Sequence, residues 1–266
     1  MHPKNGVHFS LDCGRIRKSL FGGILVKKSK IIALVLAVLL ILSGAAVGIY
    51  AADYYHMDFT AQQAMFSCDA IDITQYNVNI DRAEFVPEQA QVGLIFYPGG
   101  KVEYTAYAPL MRALAEEGIL CIIPKMPLNL AVLDMNVAED LLALYPQIDT
   151  WYIGGHSLGG SMAASCAAGS DNYEGLILLA AYSTADLTES DMEVLSIYGT
   201  ADGVLNMEKY EEYRSNLPHE TVEFVIEGGN HAQFGSYGMQ EGDGNAQISS
   251  EEQLKLTAEA IMNLLS

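Results

Sequence analysis

Hydrophobic residues along this chain follow two different regimes. Residues 31–52, IIALVLAVLLILSGAAVGIYAA, form one apolar run without a charged side chain. As a helix this run extends about 33 Å, enough to cross the hydrocarbon of a bilayer. From residue 74 onward, short β-type runs alternate with stretches of helical spacing, the pattern of a doubly wound, mostly parallel sheet flanked by helices. Segments 75–80 and 83–86 read as an opening antiparallel pair. Segments 92–97, 119–124, 150–153, 175–181, 194–198 and 221–226 read as parallel core strands. Helices are expected over 104–117, 130–145, 158–169, 206–216 and 249–265, with Gly118 as a C-terminal stop for the first.

Length and charge refine this into four segments: a basic N-terminus at 1–30, a transmembrane helix at 31–52, a linker at 53–73 and one α/β domain at 74–266. The chain of 266 residues is long enough for one well-buried domain and hardly for two. Arg15, Arg17, Lys18, Lys27, Lys28 and Lys30 precede the apolar run, whereas Asp53 and Asp58 follow it. By the positive-inside rule the N-terminus is then cytoplasmic and the α/β domain lies outside the cell membrane. A cleaved signal sequence is the alternative, favoured by Gly44, Ala45 and Ala46 and opposed by the length of the run and the thirty residues before it.

Half of the 14 Lys and Arg lie in that basic segment, so residues 53–266 carry 7 basic against 32 acidic side chains. A domain with this surplus is repelled by nucleic acid and by anionic lipid, and the surplus itself reads as solubility outside the cell; the expected partners are a small-molecule substrate and, through the apolar run, the membrane. Cys13 falls on the cytoplasmic side, Cys121 and Cys166 fall in apolar elements, and Cys68 stands alone, so no disulfide framework is visible. Oligomeric state is not encoded in any of these patterns.

Where the run TWYIGGH meets an Ala-rich helical stretch, the chain reads Gly155-His156-Ser157-Leu158-Gly159. A G-x-S-x-G at a strand-to-helix junction is the nucleophile elbow, a strained turn that lifts a serine hydroxyl above the sheet. A hydroxyl is a poor nucleophile at neutral pH and needs a base, itself oriented by a carboxylate. Of six His, His231 in EGGNHAQ follows the last strand, where Gly228 and Gly229 let a loop carry it over the elbow. His219, in a polar helix-to-strand turn, reads as a surface residue. Asp202 in TADGV follows the strand VLSIYGT at the carboxyl edge of the sheet, where open α/β sheets build their sites. Asp186, Asp191 and Glu227 are less well placed.

An oxyanion hole needs two backbone N–H groups. Leu158 supplies one, and the loop in FYPGGKVEY supplies the other from Gly100, with Lys101 as the second candidate. Glu103 in that loop reads as solvated. In PKMPLNLAVL, Met126, Leu128 and Leu130 read either as an apolar substrate wall or as helix core. Metal-ligand spacings and phosphate-binding glycine motifs are both missing, which argues against metal-assisted and nucleotide-dependent chemistry and for a site that needs no cofactor.

Together FYPGGKVEYTAYAPLMRALAEEG, IIPKMPLNLAVLD, IGGHSLGGSMAA, IYGTADG and EGGNHAQFGSYG resemble the α/β-hydrolase superfamily, in particular small capless bacterial members with an N-terminal membrane segment. The resemblance covers residues 75–265 and implies the triad Ser157, Asp202 and His231, the residues already chosen on their own chemistry. About a dozen residues separate 181 from 194, too few for the helical cap of larger lipases. The expectation is a serine esterase with an open site working through an acyl-serine intermediate. A thioesterase, lipase or peptidase on the same triad, or a non-catalytic binding protein of this fold, are the alternatives.

Overall fold

The computed structural model describes residues 34–265; the basic segment 1–30 and Cys13 lie outside the described residues. Two compact units divide between Ala52 and Asp53. In the first, helix α1 (Leu34–Ala52) is long and apolar enough to cross a membrane, and its apolar side chains are exposed.

The second unit is built on one eight-stranded sheet: β1 (Ile71–Tyr76), β2 (Arg82–Pro87), β3 (Val92–Tyr97), β4 (Leu120–Pro124), β5 (Thr150–His156), β6 (Gly175–Leu179), β7 (Glu193–Gly199) and β8 (Val222–Ile226). Their order is β1-β2-β4-β3-β5-β6-β7-β8. β1 and β2 pair antiparallel, as do β2 and β4, and every later pair is parallel. The parallel strands are covered on both faces, so they read as nearly continuous apolar runs such as GLILL and LCIIP. Along β3, Leu94 and Phe96 enter one core with Phe85, Leu114 and Ile261, while Ile95 and Tyr97 enter the other with Ile153, Leu141 and Leu178. This two-residue alternation divides the strand between the layers of helices. Helices α3 (Ala108–Glu116) and α7 (Ser250–Leu265) contribute to the first core, and α4 (Val137–Leu142) and α5 (Leu158–Ala167) to the second. Cys121 and Cys166 are buried in these cores, and burial pushes both thiols up in pKa.

Four expectations from the sequence need adjusting. The opening strand runs from Ile71, not from 75, because the chain turns at Asn79 (φ 66°), which cannot continue a strand. Segment 53–73 is more than a connection: it carries α2 (Phe59–Ala64), capped by the Asp58 carboxylate, which accepts the Ala61 N–H at 3.0 Å. The same segment lays Tyr55 beside Val102. The stretch 104–117 divides into a tight turn at Tyr104–Tyr107 and α3, with Pro109 in the first turn of the helix, where its missing N–H costs nothing.

The helix expected over 130–145 is reduced to α4, preceded by two single 3₁₀ turns. Leu128 and Asn129, within the first of these turns, adopt left-handed conformations. The buried Tyr97 hydroxyl then donates to Met135 O at 2.7 Å and accepts from Ala138 N–H at 3.1 Å, taking backbone groups that a longer helix would pair internally. The connection 180–192 carries no helix, so nothing of a helical cap is built between β6 and β7. α6 (Met207–Tyr213) follows β7 and is capped by Asn206, whose side chain accepts from Lys209 N–H.

Candidate active site

Ser157 stands between β5 and α5 with φ 53° and ψ −123°. A non-glycine residue in this region holds strain of about 1–3 kcal/mol, sustained only where the surroundings fix it. Here the Ser157 N–H donates to Leu179 O at 2.9 Å, extending the β5–β6 ladder by one bond beyond the strand. The flanking glycines are a packing requirement. A Cβ on Gly159 would lie 2.3 Å from the carbonyl oxygens of Tyr97 and Pro98, and one on Gly155 would lie 2.6 Å from Gly159 C. Without side chains there, α5 starts directly against the ends of β3 and β5, its positive N-terminal end beside the serine.

Asp202 lies just after β7, and His231 in the loop after β8. Asp202 Oδ2 is 2.8 Å from His231 Nδ1, and both side chains are 1% exposed. The other carboxylate oxygen, Oδ1, accepts the N–H groups of Val204 at 2.8 Å and Leu205 at 2.7 Å. The backbone thus fixes the carboxylate from one side while the imidazole uses the other. With Nδ1–H given to Asp202, the lone pair of His231 is on Nε2, and this buried atom has no hydrogen-bond partner. His231 and Ser157 line one cavity of about 250 Å³, together with Leu158, Ser161, Ala180, Tyr182, Val204, Leu205 and Asn206 among others. No hydrogen bond joins Ser157 Oγ to His231 Nε2 among the described residues; in free enzymes such bonds are often long and tighten with substrate. Larger grooves elsewhere, such as the one at 167–192, contain none of these three residues.

The rival groups do not enter this arrangement: His219, Asp186, Asp191 and Glu227 are all exposed. Of the two loop amides considered for the oxyanion, Lys101 is already engaged, since its N–H donates to Asn129 O at 2.8 Å. Its ammonium pairs with Asp53 at 2.6 Å. Gly100 N–H has no acceptor among the described residues, and a Cβ there would lie 3.0 Å from Leu158 Cδ2. Leu158, as the first residue of α5, has no acceptor within the helix.

Met126 is not in the cavity wall: it is 2% exposed and packs in the second core. Leu128 is exposed and does not line the cavity either, because its left-handed backbone turns the chain outward after β4. Glu103 is tied down rather than free in solvent, accepting Met57 N–H at 3.0 Å.

Two site-building residues have no sequence signal of their own. Asp243, in the glycine-rich loop 235–246, accepts from Ala232 N–H at 2.8 Å, His231 N–H at 3.3 Å and Gly203 N–H at 3.0 Å, tying the segment of His231 to the loop of Asp202. Gln253 of α7 exchanges two hydrogen bonds with the backbone of Asn230, at 2.9 and 2.8 Å. Both read in the sequence as ordinary polar residues, one in a turn and one on a helix. His156 and Tyr107 form a third buried feature, with His156 Nδ1 2.8 Å from Tyr107 Oη.

A family model described as "Alpha/beta hydrolase family" matches residues 93–255. No curated protein matches the chain. Among solved structures, a putative dienelactone hydrolase from Klebsiella pneumoniae is similar with a TM-score of 0.55 at 16% identity, over 74% of this chain and 98% of that one. Carboxyl esterase 2 from Tuber melanosporum has a TM-score of 0.55 at 12% identity, over 76% and 90%. A serine hydrolase without a lid from Xanthomonas campestris has a TM-score of 0.52 at 14% identity, over 74% and 96%. These likenesses concern the fold, and they agree with the missing cap between β6 and β7. Since the family model spans more than half of the sequence, the chain belongs to the alpha/beta hydrolase family.

Proposed function

We propose that the protein is a serine hydrolase of carboxylic esters that works through an acyl-serine intermediate. The observation that carries this reading is the buried 2.8 Å bond from His231 Nδ1 to Asp202, which leaves a partnerless Nε2 in the cavity that also holds Ser157. Ser157 Oγ attacks the ester carbonyl while His231 Nε2 takes its proton. Asp202 holds the imidazole in the required tautomer and stabilises the imidazolium. The N–H groups of Leu158 and Gly100 receive the oxyanion, each donor being worth on the order of 100- to 1,000-fold in rate. His231 then returns the proton to the leaving alcohol, and water repeats the sequence to release the acid.

Esters head the list of substrates because esterase and dienelactone hydrolase are the names borne by two of the similar folds. A cavity of about 250 Å³ closed by Ala180, Ala181, Val204 and Leu205 favours a short, apolar acyl group. Thioesters and activated amides use the same steps and form the second reading. In this reading α1 is a single-pass anchor, and the basic residues before it support a catalytic unit outside the cytoplasm by the positive-inside rule.

The test uses the full chain in detergent beside its Ser157→Ala variant, with a fluorophosphonate probe and p-nitrophenyl esters of graded acyl length. Labelling and turnover are expected in the parent only, with a short-chain optimum. A folded parent that neither labels nor turns over would replace this reading with that of a binding protein.

A further inference from the structure

His156 and Tyr107 are buried polar residues that the acyl-transfer steps leave unused, and they join three parts of the site. Tyr107 Oη accepts the Gly99 N–H at 3.0 Å, immediately before the Gly100 amide. The same oxygen is 2.8 Å from His156 Nδ1. Fit is tight at this junction: a Cβ on Gly99 would lie 2.8 Å from both His156 Nδ1 and Tyr107 Oη. The His156 ring lies 4.4 Å from the His231 ring, centroid to centroid, at 50°, and 5.7 Å from Phe234.

The hydrogens follow from the chemistry. A backbone N–H only donates, so Tyr107 accepts from Gly99 and has one proton left to give. Its remaining partner is His156 Nδ1, and the phenol proton is satisfied there only when that nitrogen offers its lone pair. A neutral His156 then carries its own proton on Nε2, an atom with no hydrogen-bond partner of ordinary geometry. Burial first, and then the neighbouring His231, hold the His156 pKa well below its ordinary value, outweighing the His231 backbone, which favours the charged form. Burial likewise pushes the Tyr107 phenol far up, so it remains a proton donor.

We propose that Tyr107 and His156 form a positioning pair for the reaction: Tyr107 fixes the oxyanion loop through Gly99, and His156, locked as the neutral Nε2–H tautomer, packs against His231. One connected network thereby sets the oxyanion donor and the general base. When His231 becomes imidazolium, it does so against a neutral ring; a second positive charge 4.4 Å away would oppose the step. The titratable groups facing the pair are Tyr237 and His231 and, through the latter, Asp202 and Asp243.

This inference rests on Ser157 and His231 acting as nucleophile and base, so its test has one arm that needs turnover and one that does not. In the first, Tyr107→Phe and His156→Leu in the full chain are expected to lower kcat about 10- to 100-fold with KM changed less than about 3-fold, as for displaced catalytic groups. His156→Asn, whose side-chain carbonyl can accept from Tyr107 in the place of Nδ1, should recover most of kcat. The double variant Tyr107→Phe/His156→Leu should be no worse than either alone, because the two residues act as one unit. A Tyr107→Phe variant with the parent's kcat, or an Asn variant as poor as Leu, would overturn the proposal.

In the second arm, ¹⁵N-histidine NMR of the parent chain in detergent reads His156 directly, whether or not the variants fold. The expected signature is an unprotonated Nδ1, a protonated Nε2 and no titration between pH 8 and about 5, below the ordinary histidine range. A proton on Nδ1, or titration near the ordinary value, would refute it. A parent inactive on every ester would count against the proposed function and leave this arm standing.

Discussion

Asp243 is the residue on which the geometry of the site most depends without touching the reacting atoms. Its carboxylate accepts N–H groups from Gly203 in the loop of Asp202, from His231 and Ala232, and from its own neighbour Gly244. Asp243→Ala leaves these donors without their acceptor and is expected to cost about 2–3 kcal/mol in stability by urea unfolding. Since the two loops then drift apart, kcat should fall on the order of 10- to 100-fold with KM little changed, as measured on a p-nitrophenyl ester.

His156 provides a second prediction at this scale. Its folded-state pKa is depressed, so between that value and about pH 6.5 the unfolded chain binds a proton that the folded chain does not. Stability from this residue is present above pH 6.5 and is lost as pH falls, with a slope of up to about 1.4 kcal/mol per pH unit. His156→Asn should flatten the decline of unfolding free energy between pH 7 and 5 by up to that amount. Ser157, Asp202 and His231 could be singled out in the sequence because each type answers a chemical need at a recognisable place: a strand-to-helix turn, the end of a strand, the loop after the last one. Asp243, Gln253, Tyr107 and His156 were not, because their roles rest on partners distant in sequence, and an Asp-Gly in a glycine-rich loop looks the same whether or not it holds anything.

Among the elements, α4 shows how a buried side chain redefines a helix. The apolar spacing of 130–145 suits a helix of four turns, yet only Val137–Leu142 is helical, and the Tyr97 hydroxyl holds the backbone at Met135 and Ala138. Replacing Tyr97 by Phe keeps the ring in the core and strands both groups. The expected cost is about 1–3 kcal/mol for buried, unpaired polar groups, seen as a lower urea midpoint with unchanged m-value. Because Tyr97 and α4 lie outside the catalytic cavity, kcat should stay within about twofold while stability falls, a change of under 0.5 kcal/mol in the barrier. The core strands, by contrast, were legible to within one residue at most ends, since continuous apolar runs bounded by turns have few other uses, although β5 runs on to His156 and β6 stops at Leu179, two residues short of its expected end. β1 was misplaced by several residues because IDITQY, at the edge of the sheet, shows a weaker pattern than the polar turn that follows it.

At the scale of the molecule, charge is the property most out of balance. Residues 53–266 carry 32 acidic against 7 basic side chains, and every one of the basic ones lies within 4 Å of an acidic partner, Arg82 buried and the other six at the surface. The α/β unit therefore presents a negative field to any approaching molecule, and no cap rises between β6 and β7 to shield the cavity from it. A field of this kind acts on encounter more than on chemistry, and salt screens it over about 8–10 Å. Three p-nitrophenyl esters of equal acyl size, one cationic, one neutral and one anionic, should then separate in kcat/KM at low ionic strength. The cationic ester should lead the anionic one by about tenfold or more, the lower end of electrostatic steering effects. Raising sodium chloride to 0.5 M should bring the three together, with kcat almost unchanged in each. If the order persists at high salt, discrimination comes from contacts inside the cavity, where Ser161, Tyr182 and Asn206 are polar groups at the wall beside Ser157 and His231, and the acidic surface would have no part in substrate choice.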